Sequence, residues 1–428
     1  MSPTMSTVPQ SGTHNRRQAR RQAPGQARPR TGDSTWIVVV VCGVIAAMHI
    51  WKLPGALAQV QVDLTISLVQ AGLLLGLVQL AGMLGGIPAS VIGERVGLRR
   101  TLVLGLSLLV AGTVIGAVAT TSTVMMTARG LEGVGYLAVT VVAPALIRRE
   151  TPARRLTIAM GAWAGFQGTA TFIAVLGSSL LLQVTDWRMW YWIMAALTLA
   201  GIPLLLRHTT PDPRREGGVG AAFRRVWVTM CTWRPWVAGA VFACYTVQWT
   251  AVIGFLPTVY QEYGIGPVLG GTLSAVAGGV NAVGALLAGL LLQRGLPVRS
   301  LVITAFTVMG ITSLAVYAVD WSLVPGTFIT QFLLVCVFSM TGALIPTSMF
   351  RVAVDLAPAG GSPPAVVGLM NQMQNTGNFL GPVVLAWLAA QAQGWHTSWW
   401  LTTAAGVLGI ALIMLFSEKR LGVSLRGN

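Results

Sequence analysis

The stretch that decides the fold runs from Val124 to Ile147 and reads VMMTARGLEGVGYLAVTVVAPALI. It is long enough to cross a bilayer, since a spanning helix needs about 20 predominantly apolar residues. Within it Arg129 and Glu132 lie three residues apart, so their side chains share one helical face. A charge at the membrane centre costs about 3 kcal/mol or more. The pair is therefore either functional or a buried ion pair that only locks two helices together.

Three glycines, Gly130, Gly133 and Gly135, surround these charges. A helix surface without side chains predicts the close approach of a neighbouring helix or of a ligand.

The whole chain has the composition of a membrane protein. Its 428 residues are 54% hydrophobic and 9% charged, whereas soluble domains carry roughly 25% charged residues. We predict an all-α polytopic protein of twelve spans between a basic disordered tail (1–34) and a short C-terminal tail (417–428). The first half, 35–206, holds spans 35–57, 67–92, 101–120, 124–147, 156–183 and 189–206. After a polar central loop, 207–235, the second half, 236–416, holds spans 236–258, 268–293, 300–319, 324–349, 365–391 and 397–416.

The positive charges follow this topology. All but three of the 28 lysines and arginines fall in the tails or in loops on their side of the membrane; the exceptions are Lys52, Arg129 and Arg188. The positive-inside rule then predicts that both termini and the central loop are cytoplasmic. Topology explains the net charge of +16, so no nucleic-acid partner is expected. The basic tail either contacts anionic lipid or stays solvated.

The sequence contains no pattern typical of an enzyme or of a metal site. The four cysteines and four histidines show no metal-ligand or disulfide spacing, and there is no Walker A motif. A membrane-embedded enzyme or a receptor is the alternative from another class, but an enzyme would need a catalytic constellation at one depth. We expect no metal and no cofactor other than a coupling ion.

An internal repeat relates the two halves. Leu53-Pro54 corresponds to Leu256-Pro257, and Gln167–Phe172 corresponds to Gln374–Phe379. Such a repeat predicts two six-helix halves around a central pathway near the midplane of the membrane.

Two motifs resemble signatures of the major facilitator superfamily. The loop Ser90-Val-Ile-Gly-Glu-Arg-Val-Gly-Leu-Arg-Arg100 is similar to Gly-x-Leu-Ala-Asp-Arg-x-Gly-Arg-Arg, with Glu94 in place of the aspartate. Residues 129–135 are similar to Arg-x-x-Gln-Gly-x-Gly, with Glu132 in place of the glutamine. The resemblance covers residues 35–416 and implies a transporter of two pseudo-symmetric six-helix halves. Leu256, Pro257 and Gln261 resemble the cyanate and nitroimidazole permease branch.

The resemblance also implies roles for residues. A gating clamp would use the acid and the arginines of the loop after span 2: Glu94, Arg95, Gly97, Arg99 and Arg100. Arg129 inherits a role in proton or substrate coupling. The antiporter signature of span 5 is not kept, because Phe166 stands where proline belongs.

Four titratable residues are predicted to share one depth in the membrane. In the resembled family, spans 1 and 4 line the central cavity, and these spans carry Lys52 and His49, and Arg129 and Glu132, respectively. Lys52 either belongs to the site or extends to the outer interface. His49 either faces the cavity or is a hydrogen-bonded packing residue.

Amide side chains complete the predicted site. Asn371, Gln374, Asn375 and Asn378 recur at helical spacing on one face of span 11. They either bind a small polar substrate or hold helices together. Gln167 and Trp163 of span 5 are further candidates for lining the cavity.

The sequence thus predicts a proton-coupled secondary transporter of a small anionic or polar organic solute, working by alternating access. Two cations, Lys52 and Arg129, against the single acid Glu132 favour an anion. We expect Glu132 to take a proton when the substrate binds Arg129. The alternative is efflux of drugs or metabolites by proton antiport. The protein is expected to be a monomer in the inner or plasma membrane of a bacterium.

Overall fold

The computed structural model describes residues 35–212, 220–319, 321, 327–353 and 355–416, which leaves the predictions for both tails outside the described residues. The first half contains α1 (Thr35–Trp51), α2 (Leu57–Asp63), α3 (Leu68–Val96), α4 (Leu98–Ala117), α5 (Ser122–Glu150), α6 (Ala153–Ala164), α7 (Phe166–Leu181) and α8 (Trp187–His208). After α9 (Gly220–Met230), the second half contains α10 (Trp233–Glu262), α11 (Pro267–Gln293), α12 (Val298–Ala318), α13 (Phe328–Gly342), α14 (Leu344–Val352), α15 (Pro363–Ala392) and α16 (Trp399–Met414).

Among the described residues, 10 helical segments are long and apolar enough to cross a membrane. They match all the predicted spans except the fifth and the eleventh. The fifth span is divided into α6 and α7 at Gly165, and the eleventh, α15, is a 30-residue helix with the amide stripe in its middle. A multi-pass helical membrane protein is therefore confirmed, while the count of twelve spans stays a prediction.

The first span is longer and more broken than predicted. Helix α1 ends at Trp51, a short 3-10 turn covers Pro54–Ala56, and α2 continues to Asp63. The break follows from Pro54, which has no backbone N–H and whose ring disfavours a continuous α-helix before it. The first apolar segment thus continues beyond the predicted end at Leu57, and Lys52 lies in the break between α1 and the 3-10 turn.

The two halves contact each other along antiparallel helices with small residues. On α3, Gly72 faces Pro382 of α15, and Gly86 faces Gln372 at the other end of the contact. A Cβ at Gly72 would lie 2.7 Å from the Pro382 carbonyl oxygen, so a larger residue would separate the backbones. Helices α7 and α11 form the corresponding second contact between the halves. Such small-residue surfaces allow close helix packing without a hydrophobic driving force.

The three glycines near Arg129 and Glu132 on α5 have different surroundings. A Cβ at Gly133 would lie 2.6 Å from the carbonyl oxygen of Val78 on α3, and one at Gly135 would lie 2.6 Å from that of Gly105 on α4. A Cβ at Gly130 would have no heavy atom within 4 Å. Two of the three glycines therefore bring α5 close to neighbouring helices, which confirms the expected close approach.

Candidate substrate and coupling site

The four titratable residues predicted to share one depth form a single sealed cluster in the first half. His49 and Lys52 come from the end of α1, and Arg129 and Glu132 come from one face of α5. All four are 0% exposed. The structure brings all four predicted side chains together, with Lys52 Nζ directed to Glu132 inside the first half. Their common depth in a membrane stays a prediction.

Glu132 is the centre of this cluster. Its Oε1 lies 2.5 Å from Lys52 Nζ and accepts a hydrogen bond of 2.7 Å from Thr113 Oγ1 on α4. Its Oε2 accepts a bond of 2.7 Å from Nη1 of Arg129. Every hydrogen-bonding partner of the carboxylate is thus a potential donor, as expected for an ionised carboxylate, which can only accept.

The contacts of His49 fit a neutral ring. Its Nε2 lies 2.8 Å from Oγ1 of Thr198, whose hydroxyl already donates to the Met194 carbonyl. Nε2 must therefore donate. Nδ1 lies 2.9 Å from Thr113 Oγ1, whose hydroxyl already donates to Glu132, and 3.4 Å from Lys52 Nζ, so the ammonium is the donor from which a neutral Nδ1 accepts. A neutral histidine satisfies both of its ring nitrogens here. The cluster then holds two cations and one anion, an excess of one positive charge.

Arg129 connects the cluster by hydrogen bonds to backbone carbonyls of α1 and α3. Its Nε donates to the carbonyl of Leu74 on α3 at 3.1 Å, and its Nη1 donates to the carbonyl of His49 at 2.6 Å. Its Nη2 is buried and has no hydrogen-bond partner among the described residues. A buried donor without a partner costs about 1–3 kcal/mol, so this guanidinium nitrogen is the point where an additional acceptor would be most favourable.

The break in α1 positions the Lys52 ammonium. The carbonyl of Lys52, freed from a regular helix, accepts a hydrogen bond from Nε1 of Trp190 at 3.1 Å. The ammonium lies 3.9 Å from the centre of the Tyr191 ring, a cation–π contact. Two adjacent aromatic residues of α8 thus hold the lysine in place on the side opposite Glu132.

A second, uncharged group of side chains joins the halves next to this cluster. The ring of Trp51 meets that of Trp249 on α10 edge to face, with centroids 5.1 Å apart. Trp51 Nε1 lies 3.4 Å from Gln167 Oε1, and Gln167 donates to the Tyr136 hydroxyl at 2.6 Å. Trp249 donates to Ser339 at 2.9 Å. Gln167 is therefore placed in the contact region between the halves.

The remaining predicted lining residues are distributed more widely. Trp163 is stacked on Phe166 at 4.3 Å between ring centroids, and its ring lies directly against Gly43 of α1. The two rings form an aromatic wall on the α1 side of α6 and α7.

The amide stripe of α15 is divided between two neighbours. Asn378 Oδ1 accepts a 2.5 Å hydrogen bond from Thr250 of α10, and the Asn375 amide lies against Gly82 of α3 while donating to the Asn371 carbonyl at 2.7 Å. These contacts are those of residues that hold helices together. Gln374 and the side chain of Asn371 are only partly buried.

The loop after span 2 is organised by an acid that the sequence reading missed. Gly97 has a φ of 108°, a conformation that favours glycine. Asp212 Oδ1 accepts from the Arg99 N–H at 3.1 Å, and its Oδ2 accepts from the Arg100 N–H at 3.0 Å. Arg149 Nη1 lies 2.7 Å from Oδ1 of the same carboxylate. Asp212 thus caps α4 and pairs with the end of α5. The predicted roles of Glu94 and Arg95 lie outside the side chains that the structure describes.

Burial of Asp212 raises the pKa of its carboxyl, but the backbone N–H groups of Arg100 and Arg99 and the Arg149 guanidinium favour the ionised form more strongly. The net effect holds the pKa below its ordinary value.

The sequence reading also missed partners of the charged cluster, namely Thr113, Thr198, Trp190 and Tyr191. An aromatic or hydroxyl residue in an apolar helix carries no signal of its own, so only the three-dimensional contacts identify these four. Asp212 lay between two prolines, a turn signal that could have identified it as a cap.

A bundle of apolar helices in two halves, with a charged cluster buried inside one half, defines a membrane transporter fold. The family profile described as Major Facilitator Superfamily matches residues 39–359 and 238–425. The chain belongs to the Major Facilitator Superfamily.

Three curated relatives from Escherichia coli (strain K12) are similar in sequence. The 2-nitroimidazole transporter is 27% identical over 61% of this chain and 67% of its own length. The inner membrane metabolite transport protein YgcS is 25% identical over 84% of both chains. The cyanate transport protein CynX is 25% identical over 48% of this chain, which spans about half (53%) of that relative. The predicted resemblance to the cyanate and nitroimidazole permease branch is confirmed, and membrane transport is the activity that these relatives share.

Solved structures agree on the fold. A bacterial homologue of the human lysosomal transporter Spinster, in an inward-facing and unoccupied conformation, has a TM-score of 0.72 at 15% identity, covering 91% of this chain and 97% of its own. The same homologue in an occupied conformation has a TM-score of 0.71.

Proposed function

We propose that this protein is a proton-coupled secondary transporter that moves a small anionic or polar organic solute across the membrane by alternating access. The observation that carries the proposal is the sealed cluster of Lys52, Arg129 and Glu132, in which two cations share one carboxylate. Charged groups buried within membrane helices mark solute or proton pathways.

The excess positive charge supports an anion. An approaching carboxylate or a similar anion would neutralise the cluster and could accept from the unpartnered Nη2 of Arg129. In doing so it would compete with Glu132 for the guanidinium. A carboxylate that loses a cationic partner in a buried site takes up a proton more readily. This exchange of partners links the binding of an anion to the binding of a proton.

The names of the relatives fit the same class of solute. Cyanate is a small anion, and 2-nitroimidazole is a small planar polar ring. The uncharged group around Trp51, Trp249 and Gln167 offers aromatic faces and an amide to such a molecule. The cluster lies in the first half, and these aromatic side chains join both halves. A solute bound between the halves would therefore contact side chains of both, and the two halves must move relative to each other during alternating access.

The test is flux into proteoliposomes with an imposed pH gradient, using a panel of small carboxylates, cyanate and nitroheterocycles. We expect at least one solute to accumulate against its gradient only when a proton gradient is present. Glu132→Gln should remove the dependence on the proton gradient while solute exchange continues, and Arg129→Gln should abolish both.

Arg188→Gln is the matched control, because Arg188 pairs with Asp63 outside the cluster. The proposal fails if the proton gradient changes no flux, or if Glu132→Gln leaves the gradient dependence intact.

A further inference from the structure

The helix that links the two halves carries a basic and aromatic surface. It is formed by the exposed end of α9 and the first turns of α10, and we call it the α9–α10 patch; its members are Arg224, Arg225, Trp227, Trp233, Arg234 and Trp236. The three tryptophans are 61%, 53% and 42% exposed in chain order. Arg224 and Arg225 are exposed as well. Large indoles beside unshielded guanidinium groups are unusual on a surface that faces only water.

Contacts between the members hold the patch together. Trp236 Nε1 donates to the Met230 carbonyl at the end of α9, at 2.8 Å. The Arg234 guanidinium lies 5.8 Å from the centre of the Trp233 ring, and that ring stacks on Phe416, after α16, at 5.9 Å. The end of α9 and the start of α10 therefore form one corner, next to the end of the last helix of the bundle.

One side of α9 is docked on the protein and the other side is exposed. Thr229 is buried, and its Oγ1 accepts a hydrogen bond of 2.8 Å from the N–H of Ser362 just before α15. At about 100° per residue, Arg224 and Trp227 point away from the Thr229 side and lie next to each other on the opposite face. The face of α9 that carries Arg224 and Trp227 is thus turned away from the bundle, while Arg225 is exposed but lies about 40° from the Thr229 side.

The arginines of the patch have no carboxylate partner that the described residues provide. Within the described part of the chain, Arg224, Arg225 and Arg234 form no ion pair with a carboxylate. Arginine binds phosphate through two parallel N–H donors. Tryptophan concentrates at the headgroup level of a bilayer. The patch combines both preferences at the point where the transmembrane helix α10 begins.

We propose that the α9–α10 patch is a binding site for the headgroup of an anionic phospholipid of the adjoining leaflet. The arginines bind the phosphate, and the indoles lie among the glycerol and upper acyl carbons. A lipid is the occupant because the patch adjoins a transmembrane helix, so that bilayer lipid reaches it directly, and because the exposed indoles need an apolar neighbour that a soluble phosphate does not supply.

The experiment measures lipid retention by native mass spectrometry on the full chain, purified in a neutral detergent and titrated with phosphatidylglycerol or phosphatidylcholine. We expect selective retention of phosphatidylglycerol. An arginine near an anionic surface contributes about fivefold to binding. Arg224→Gln with Arg225→Gln should therefore weaken phosphatidylglycerol retention by about fivefold to 25-fold, according to how far Arg225 takes part, and leave phosphatidylcholine unchanged.

The matched control is Arg294→Gln with Arg299→Gln. It removes one arginine directly after α11 and one in the first turn of α12, on the same predicted side of the membrane and far in sequence from any tryptophan. Equal retention of the two lipids, or an equal loss in both double variants, overturns the proposal. If the first double variant does not purify as a folded protein, Arg224→Gln alone replaces it, with an expected fivefold loss; an unchanged retention in that variant would also overturn the proposal.

Discussion

The sharing of Glu132 by two cations predicts an unequal response to the loss of each partner. In the native cluster Lys52, Arg129 and Glu132 carry a net charge of one. Glu132→Gln leaves two buried cations facing a neutral amide, and removal of one partner from a buried ion pair costs about 3–5 kcal/mol. Lys52→Met leaves the bond between Arg129 and Glu132 intact. It loses one hydrogen bond to a charged group, about 1.5–3 kcal/mol, and also removes the excess charge.

The double variant separates charge balance from simple loss of contacts. Lys52→Met combined with Glu132→Gln restores a net charge of one, now on Arg129 alone, which keeps its bonds to the carbonyls of Leu74 and His49. We expect the double variant to be more stable than Glu132→Gln by about 2 kcal/mol, within the range of about 0.5–3 kcal/mol for residues in direct contact.

The assay is the free energy of unfolding in mixed detergent micelles, measured by tryptophan fluorescence for the native chain, both single variants and the double variant. Thr169→Ala is the control, because this exposed threonine bonds only to the backbone of its own helix. If Glu132→Gln is as stable as the native chain, or if the second substitution lowers stability further, charge balance does not hold this cluster together.

Three further predictions concern other parts of the fold. Asp212→Asn should lower the free energy of unfolding by about 1 kcal/mol at neutral pH, typical of a lost helix cap. Because the pKa of Asp212 is lowered in the folded protein, its carboxylate should stabilise the fold above about pH 4. The difference between the variant and the native chain should shrink below that pH, which a pH series of unfolding curves would reveal. Gly133→Ala should lower the free energy of unfolding by about 1–3 kcal/mol through overpacking against Val78. Gly130→Ala should leave stability unchanged in the same thermal unfolding measurement. Equal effects of the two substitutions would contradict the packing argument. Trp51→Ala should lower solute flux several-fold while Trp51→Phe retains most of it, since an edge-to-face aromatic pair contributes about 0.5–1.5 kcal/mol; identical fluxes of the two variants would count against a role for the ring.

The sequence was informative where a charge buried in the membrane has its partner close by in the same helix. Arg129 and Glu132 are three residues apart, so their contact follows from helix geometry alone. Lys52 could be assigned to the same depth, but not to Glu132, because the contact depends on how α1 is broken at Pro54. In the repeated position, Pro257 lies inside the uninterrupted helix α10. The same dipeptide thus has different structural outcomes in the two halves, which the repeat alone does not reveal.

Long-range partners were beyond the reach of sequence patterns. Asp212 contacts Arg99 and Arg149, which are 113 and 63 residues away. The local acid of the motif, Glu94, was the natural choice for a clamp because it is adjacent in sequence to the arginines. The acid that caps α4 instead comes from the end of the first half, where the chain returns to the same side of the membrane after α8.

The break in α1 places two adjacent residues in different environments. The Trp51 ring reaches Trp249 in the second half, while the Lys52 ammonium reaches Glu132 inside the first half. The Cα atoms of adjacent residues stay about 3.8 Å apart across the planar peptide between them. A displacement of the second half that moves the backbone of Trp51 therefore also moves the backbone of the lysine that bonds Glu132. On this reasoning Trp51→Ala should weaken the dependence of flux on the proton gradient as well as the flux itself, and an unchanged gradient dependence would show that the two contacts are not linked.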